Sequence, residues 1–355
     1  MNRSLFPAVS LLLAAMAAGL AGCSAASAPA APGSPAGSGS TTTPPAFGAS
    51  GGSGASAAAG GAGSSGYPLT VMNCGTEVTL AAPPERIVAI KSTALETLLA
   101  LGLGGKVAGA AFLDGPLPPA LAADAPPLNI LSDSAPSREP VLELEPDFVY
   151  AGWESNLSAD TAGERDSLAS LGIGSYVSPH ACREAGKPVQ KLGFEDVFAG
   201  ITEAGAVFGA PEAAAGLVAE QRAIVGGVEP AGGGRTAFWF SSGRDTPYAG
   251  AGMGAPQLMM DTLGLQNIAA DVQDSWASLS WETVVAANPD VIILVDADRN
   301  TAESKKELLA SHPATAGMDA VVHNRYLVLP FAAAEAGVRN ADAVADLAEQ
   351  LAVLP

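Results

Sequence analysis

The segment Glu139-Pro-Val-Leu-Glu-Leu-Glu-Pro-Asp-Phe-Val-Tyr-Ala-Gly152 decides the fold, together with its echo Glu282-Thr-Val-Val-Ala-Ala-Asn-Pro-Asp-Val-Ile-Ile-Leu-Val295. In both, a Glu stands seven residues before a Pro-Asp pair, with a short helical pattern between them. The proline ends that helix, because the residue before a proline is pushed out of the α region. The residues that follow lack polar alternation, as expected for central strands of a parallel sheet. The two copies lie 143 residues apart, which predicts two α/β lobes of similar build.

The rest of the chain alternates between strand and helix patterns, which predicts mainly parallel sheets with right-handed crossovers. Residues 67–80 are predicted to form a hairpin, and residues 212–228 a helix that crosses between the lobes. Further strands are predicted at 86–90, 107–111, 175–177, 236–240 and 326–330. Helices are predicted at 94–103, 160–171, 194–208, 256–263, 302–309 and 342–353. The predicted domains are an N-terminal lobe (67–210), a connecting helix (211–232) and a C-terminal lobe (233–355).

The composition narrows the class of partner. The chain has 355 residues, only 15% of them charged, and a net charge of −19. Binding to nucleic acid is not expected, because phosphate recognition needs clustered Lys and Arg. An anionic small molecule held by a few local arginines stays compatible with this charge.

The N-terminus predicts the compartment. Residues 1–22 have one early basic residue, an apolar run and then small residues, the pattern of a secretory signal peptide. The run Leu20-Ala-Gly-Cys23 resembles a bacterial lipobox, which implies cleavage before Cys23 and lipidation of that residue. A secreted protein with an incidental cysteine is the alternative. Residues 23–66 hold the lipidated Cys and then an uncharged Ala/Gly/Ser/Pro-rich linker that cannot bury a core.

Two more cysteines, Cys74 and Cys182, complete the chain's three. In an oxidising compartment we expect them to pair, since extracytoplasmic thiols generally form disulfides. Two isolated buried thiols are the alternative.

Together these features resemble a known family, the substrate-binding lipoproteins of ABC importers for iron-siderophores and cobalamin. The resemblance rests on Glu85-Arg-Ile-Val-Ala-Ile90, Ala94-Leu-Glu-Thr-Leu-Leu-Ala-Leu-Gly102 and both Glu…Pro-Asp segments. It implies a class III clamshell of two Rossmann-like lobes joined by one long helix. It further implies a monomer, anchored on the extracytoplasmic face of the cell membrane, with a permease and its ATPase as partners and no cofactor.

A narrower resemblance concerns the ligand. The segments Asn73-Cys-Gly-Thr-Glu77, Tyr150-Ala-Gly-Trp-Glu-Ser-Asn-Leu157, Thr246-Pro-Tyr-Ala-Gly-Ala-Gly252 and Glu335-Ala-Gly-Val-Arg-Asn340 are similar to binding proteins proposed to take a precursor of a deazaflavin coenzyme. This resemblance implies a deazaflavin ligand, with a ferric siderophore or cobalamin as the alternative.

Ligands of such clamshells lie between the lobes, beyond the carboxyl ends of the strands. Residues just after predicted strands are therefore the ligand-binding candidates: Lys91, Ser92, Trp153, Glu154, Ser155, Asn156, Ser242, Arg244, Tyr248, Gly252, Trp276 and Arg339. The tryptophans offer stacking faces, and the arginines offer paired hydrogen bonds to phosphate or carboxylate. Packing and surface ion pairs explain the same residue types equally well.

The stretch Gly250-Ala-Gly-Met-Gly-Ala255 matches a dinucleotide-binding signature, but no acidic residue follows at the right distance. Its glycines are expected either to let backbone amides approach a polar ligand or to form a tight turn.

Glu139 and Glu282 occupy equivalent positions, each seven residues before its Pro-Asp pair. In the resembled family one surface Glu of each lobe docks on arginines of the permease, and the resemblance implies that role here. Ordinary helix N-terminal acids, favoured by the helix dipole, are the alternative.

Two other classes are disfavoured. The three histidines, His180, His312 and His323, have no short ligand spacing, so no metal site is predicted. No Gly-x-Ser-x-Gly elbow or His-Glu-x-x-His motif is present, so an enzyme is not predicted.

Overall fold

A computed structural model describes residues 66–183 and 189–354. The predicted signal peptide, Cys23 and nearly all of the linker lie outside these residues. The described part begins with an antiparallel hairpin, β1 (Leu69–Asn73) and β2 (Thr76–Leu80). Cys74, in the turn of the hairpin, forms a disulfide with Cys182, 108 residues later.

The first lobe is built on a four-stranded parallel sheet with the order β4-β3-β5-β6. The strands are β3 (Ile87–Ile90), β4 (Val107–Ala111), β5 (Phe148–Ala151) and β6 (Gly174–Val177). The helices are α1 (Ser92–Ala100), α2 (Pro119–Asp124), α3 (Arg138–Leu142), α4 (Arg165–Ser170) and α5 (Phe194–Phe208). All residues of β3 and β5 are buried, which explains their unbroken apolar sequence.

The second lobe has a six-stranded mixed sheet. Its path is β10-β8-β7-β11-β12, with β9 paired to β7; β7, β9, β11 and β12 are parallel, while β8 and β10 are antiparallel neighbours. The strands are β7 (Thr236–Ser242), β8 (Tyr248–Gly250), β9 (Gln266–Asn267), β10 (Trp276–Ser278), β11 (Val291–Asp296) and β12 (Tyr326–Pro330). Its helices are α7 (Ala255–Leu263), α8 (Trp281–Ala287), α9 (Ala302–Ser311), α10 (Asp319–Val322), α11 (Phe331–Ala334) and α12 (Asn340–Ala352).

One helix, α6 (Pro211–Gly226), connects the lobes. It packs against α5 of the first lobe and α12 of the second. Gln221, buried on α6, donates a hydrogen bond from Nε2 to the carbonyl of Val338 at 2.7 Å. The connector is therefore held along its length and is not a free strand hinge.

The repeated Pro-Asp pair has a structural purpose that is the same in both lobes. The carboxylate of Asp147 accepts hydrogen bonds from the amides of Glu85 (2.8 Å) and Arg86 (2.9 Å), just before β3. Asp290 accepts from the amide and hydroxyl of Thr236, the first residue of β7, at 2.8 and 2.9 Å. Each aspartate thus binds the start of the neighbouring central strand through hydrogen bonds to a charged acceptor, which are stronger than those between neutral groups.

The predicted fold class is confirmed, with two local corrections. Helix α4 begins at Arg165 instead of 160, because Gly163 adopts φ +114°, outside the helical region. The short strands β8, β9 and β10, of three, two and three residues, were not predicted. Strands this short carry no periodic pattern to recognise.

Candidate ligand-binding site

The carboxyl ends of β3, β4 and β5 meet at one edge of the first lobe. Strands β4 and β5 lie on opposite sides of β3, so the chain reverses direction across the sheet at β3. Such a switch point leaves a crevice beyond the strand ends. Lys91 follows β3, Phe112 and Asp114 follow β4, and Trp153 follows β5.

Lys91 is only 1% exposed and its ammonium forms an ion pair with Asp114. The ammonium lies 3.8 Å from the ring centre of Trp153, 4.5 Å from that of Phe112 and 5.0 Å from that of Phe331 in the second lobe. Burial lowers the pKa of Lys91, and the Asp114 carboxylate opposes that shift. The predicted ligand residue is thus already enclosed by a carboxylate and three aromatic rings.

The backbone around Lys91 is unusual. Lys91 has φ 82° and ψ 152°, a combination that is essentially confined to glycine. Phe112 also has a positive φ, 55°. Gly152 makes room for Lys91, since a Cβ there would lie 2.5 Å from the Lys91 Cβ. Strained residues of this kind concentrate at ligand sites and switch regions.

Arg339 of the second lobe pairs with Glu96 on α1 of the first. Its Nε and Nη2 donate to the two carboxylate oxygens at 2.5 and 2.6 Å, and Nη2 also donates to the carbonyl of Pro116 at 2.9 Å. Glu96 is 1% exposed and Arg339 12%. Burial raises the pKa of Glu96, against the hydrogen bonds from Arg339. Arg339 thus joins the two lobes, and its contact with a ligand stays a prediction.

Glu335 is the other charged residue of the second lobe that faces this edge. Its Oε2 accepts a hydrogen bond from the indole Nε1 of Trp153 at 3.4 Å, across the lobe boundary. Burial raises the pKa of Glu335, and the ammonium of Lys91 opposes that shift. Asn340, fully buried, donates to the carbonyls of Ala333 and Glu335 and accepts from the amide of Gly337, which fixes the loop that carries Glu335.

The predicted residues that follow Trp153 serve mainly to shape the loop. Asn156 is buried, and its Oδ1 accepts from the Trp153 amide at 3.0 Å. Glu154 accepts from the Arg183 amide at 2.7 Å, and the Arg183 guanidinium pairs with Asp274 of the second lobe at 3.6 Å. Ser155 is exposed.

Ser92 has a similar internal role in the first lobe. It is buried, and its hydroxyl accepts from the Asp114 amide at 2.8 Å. Both Ser92 and Asn156 therefore have hydrogen-bond partners inside their own lobe, so ligand contact by their side chains stays a prediction.

The second lobe contributes an aromatic pair and an exposed loop. Tyr248 and Trp276 stack with ring centres 5.9 Å apart and planes 14° apart, and Tyr248 is 40% exposed. Ser242 is the last residue of β7, and Arg244 lies exposed in the loop that follows it. Trp281 is buried and donates its indole N–H to the Arg244 carbonyl at 2.8 Å. It thereby holds the backbone of the loop after β7.

Gly252 lies in a closely packed part of the second lobe. Its amide donates to the carbonyl of Val272 at 3.1 Å, and a Cβ on it would lie 2.1 Å from the carbonyl oxygen of Ala270. The amides of Ala251 and Met253 donate to Ser275 and Asp274. These three backbone amides are used within the lobe, which agrees with the tight-turn alternative, and ligand contact at Gly252 stays a prediction.

Glu139 and Glu282 are both exposed, each in the first turn of a short helix, α3 and α8. A hydrogen bond from its own backbone amide and one from Ser280 lower the pKa of Glu282. The equivalent placement predicted for the two acids is therefore present, one in each lobe.

Several residues at this edge had no clear signal in the sequence. Phe112, Asp114 and Glu96 became visible only when the sheet order and the lobe contact were known. The Asp114-Gly-Pro run after a predicted strand was the one available hint. Within residues 66–183 and 189–354, no group of three or more His, Cys, Asp or Glu residues has the arrangement of a metal site. No helix of the same residues is long and apolar enough to cross a membrane.

Two α/β lobes on a helical connector, with aromatic and charged side chains facing each other at the strand ends, define a bilobal binding protein. The family model described as periplasmic binding protein matches residues 87–333. The chain therefore belongs to the periplasmic binding protein family. This family membership confirms that the protein is a binding protein and not an enzyme.

Relatives and solved structures agree with this assignment. The chain is 25% identical, over 80% of its length and 86% of the relative, to an uncharacterized ABC transporter substrate-binding lipoprotein, YvrC, of Bacillus subtilis. A periplasmic binding protein from Veillonella parvula has a TM-score of 0.70 and 26% identity, covering 79% of this chain and 96% of that one. A protein of an ABC-type Fe3+-hydroxamate transport system from Saccharomonospora viridis has a TM-score of 0.67 and 26% identity, covering 80% and 99%.

Proposed function

We propose that the protein is the extracytoplasmic substrate-binding component of an ABC importer. The observation that carries this proposal is the edge where Trp153 and Lys91 of one lobe meet Glu335 and Phe331 of the other. The name of the Bacillus subtilis relative, an ABC transporter substrate-binding lipoprotein, supports the same function.

The ligand that we propose is a planar, polar aromatic molecule. Trp153 and the Tyr248–Trp276 pair supply aromatic surface in both lobes, and stacking on such rings is favourable beyond the buried area alone. A deazaflavin coenzyme precursor fits this description and is our first candidate. A ferric hydroxamate is the second, because the Saccharomonospora viridis structure belongs to a transport system of that name.

Calorimetry and thermal shift on the full-length protein test the proposal, with the deazaflavin precursor, a ferric hydroxamate and cobalamin as ligands. A ligand at about 100 times its Kd stabilises the fold by about 2.7 kcal/mol. We expect stabilisation by the deazaflavin that Trp153→Ala reduces and Glu307→Gln, an exposed change on α9, does not. Stabilisation only by the ferric chelate or cobalamin overturns the first candidate and keeps the importer function, and silence with all three overturns the ligand proposal.

Delivery to the permease is proposed to use Glu139 and Glu282. Their exposure and their matching place in the two lobes support this docking role. We expect Glu139→Gln and Glu282→Gln to reduce ligand uptake by cells while Kd stays unchanged. Unchanged uptake in the double variant contradicts the docking role.

A lipid anchor on Cys23 is proposed to keep the protein at the outer face of the membrane. The lipobox-like run before Cys23 supports this anchor, as does the description of the relative as a lipoprotein. Metabolic labelling with a fatty acid checks it: label should enter the wild-type protein and be lost in Cys23→Ala.

A further inference from the structure

Two of the three cationic side chains that were expected to bind an anionic ligand are already paired with carboxylates, whereas the third, Arg244, is exposed. Lys91 is paired with Asp114, and Arg339 is paired with Glu96 through two hydrogen bonds. An anionic group of a ligand would have to displace a buried carboxylate from either of them. Removing one partner of a buried ion pair leaves an uncompensated charge, which is costly.

Glu335 is in the opposite situation. An ionised carboxylate has about four lone-pair sites for hydrogen-bond donors. Among the described residues, its side chain receives one hydrogen bond, from the indole Nε1 of Trp153 to Oε2 at 3.4 Å. This distance exceeds the usual range of about 2.7–3.2 Å for N–H···O hydrogen bonds. The nearby cations are engaged elsewhere, Lys91 with Asp114 and Arg183 with Asp274.

The backbone that carries Glu335 is also held in place. The buried side-chain amide of Asn340 binds the backbone on both sides of Glu335, through the carbonyls of Ala333 and Glu335 and the amide of Gly337. A group fixed in this way loses little conformational entropy when it binds a ligand. Glu335 therefore combines a well-held backbone with free acceptor capacity beside the indole ring of Trp153, at the boundary between the lobes.

We propose that Glu335 recognises the ligand, and that the ligand presents an N–H or O–H donor to this carboxylate while its ring packs near Trp153. This inference rests on the proposed function and gives the ligand a chemical class, a planar molecule with hydrogen-bond donors along one edge. It also replaces the expectation of an anion held by Lys91 and Arg339.

The test compares Kd values of three variants by calorimetry, using full-length protein with the deazaflavin precursor and the ferric hydroxamate as probes. Glu335→Ala should weaken binding about 10- to 100-fold, because a hydrogen bond to a charged group is lost. Glu335→Gln keeps one acceptor oxygen and should weaken it less. Glu307→Gln, exposed on α9 of the same lobe, is the matched control and should bind as the wild type does.

A ligand-free melting curve separates recognition from a structural role. We expect Glu335→Gln to melt like the wild type without ligand and to lose affinity nonetheless. If the wild type binds a probe and Glu335→Ala binds it equally well, the inference is overturned and the importer function stands. If the wild type binds neither probe, the proposed ligand class fails, and the inference fails with it.

Discussion

The two lobes are alike at one edge of their sheets and different at the other. At the amino ends, the carboxylates of Asp147 and Asp290 each accept two hydrogen bonds at the start of a central strand, β3 in the first lobe and β7 in the second. At the carboxyl ends, the first lobe places Lys91 in a closed cluster with Asp114 and three rings. The second lobe places Arg244 in an exposed loop at the corresponding point.

This difference separates residues that stabilise the fold of a lobe, at the amino ends of its strands, from residues proposed to bind the ligand, at the carboxyl ends. The repeated aspartate satisfies backbone amides that every such sheet must pair. The strand ends face the space between the lobes, so each lobe supplies a different surface there. The first lobe presents the closed cluster around Lys91 and Asp114, and the second presents a loop with accessible side chains.

The largest expected effect on the free energy of unfolding comes from removing Lys91 from its buried ion pair. Lys91→Ala should reduce the free energy of unfolding by about 3–5 kcal/mol, because it leaves the buried Asp114 carboxylate without its partner. Arg244→Ala, at the matching point of the second lobe, should change it by less than about 0.5 kcal/mol. Denaturant unfolding of both variants measures the contrast, and equal losses would contradict it.

The next largest expected effect on stability comes from breaking the ion pair between Arg339 and Glu96, which links the lobes. Arg339→Ala should cost about 3 kcal/mol, because Glu96 is 1% exposed and loses both of its guanidinium hydrogen bonds. Arg222→Ala is the control: Arg222 lies 2.5 Å from Glu195, but both side chains are more than half exposed. Solvent and salt screen an exposed pair, so Arg222→Ala should cost much less than Arg339→Ala. Similar losses in the two variants would show that burial does not set the strength of the Glu96 pair.

The aspartate at the amino end of the second sheet predicts a smaller effect on stability, one that depends on pH. A hydrogen bond from the Thr236 backbone holds the pKa of Asp290 below its ordinary value of 3.8. A pKa lowered by folding stabilises the protein above the unfolded pKa, and that contribution is lost as pH falls through the folded pKa. Asp290→Asn should therefore destabilise the protein at neutral pH, by less than the two changes above because solvent screens this partly exposed carboxylate, and the loss should shrink as the pH falls below the ordinary Asp range. Unfolding curves from neutral pH down through this range check it, and a cost independent of pH would contradict the charge-based account.

The smallest effect concerns the loop of the second lobe. Trp281→Phe removes the indole hydrogen bond to the Arg244 carbonyl and should cost about 1 kcal/mol. Hydrogen exchange at residues 242–246 should rise in the variant, while exchange around Lys91 stays as in the wild type. Unchanged exchange in the loop would mean that Trp281 does not fix it.

Much of the fold was predictable from the sequence because the strands carry continuous apolar runs. The helix 194–208 and the strands 107–111 and 326–330 were predicted with the bounds that the structure shows. Helix 160–171 was predicted too long, since an apolar pattern does not reveal the positive φ of Gly163.

The site was less accessible to such reasoning. Position after a strand identified Lys91, Trp153 and Tyr248, because strand ends meet at one edge of a parallel sheet. It could not identify the partners of Lys91 and Arg339, Asp114 and Glu96, which follow from sheet order and from the contact between lobes. A buried ion pair formed over 243 residues of sequence leaves no local pattern.

The aspartates at the amino ends of the sheets also matter for the history and the redesign of this molecule. They lie at the edge of each lobe remote from the strand ends that face the cleft. Substitutions around Trp153, Tyr248 or Glu335 therefore leave the hydrogen bonds of Asp147 and Asp290 intact. A scaffold arranged in this way can acquire a new ligand through substitutions at the carboxyl ends of its strands. An engineer can convert it into a sensor for another small molecule by changing Trp153, Tyr248 and Glu335.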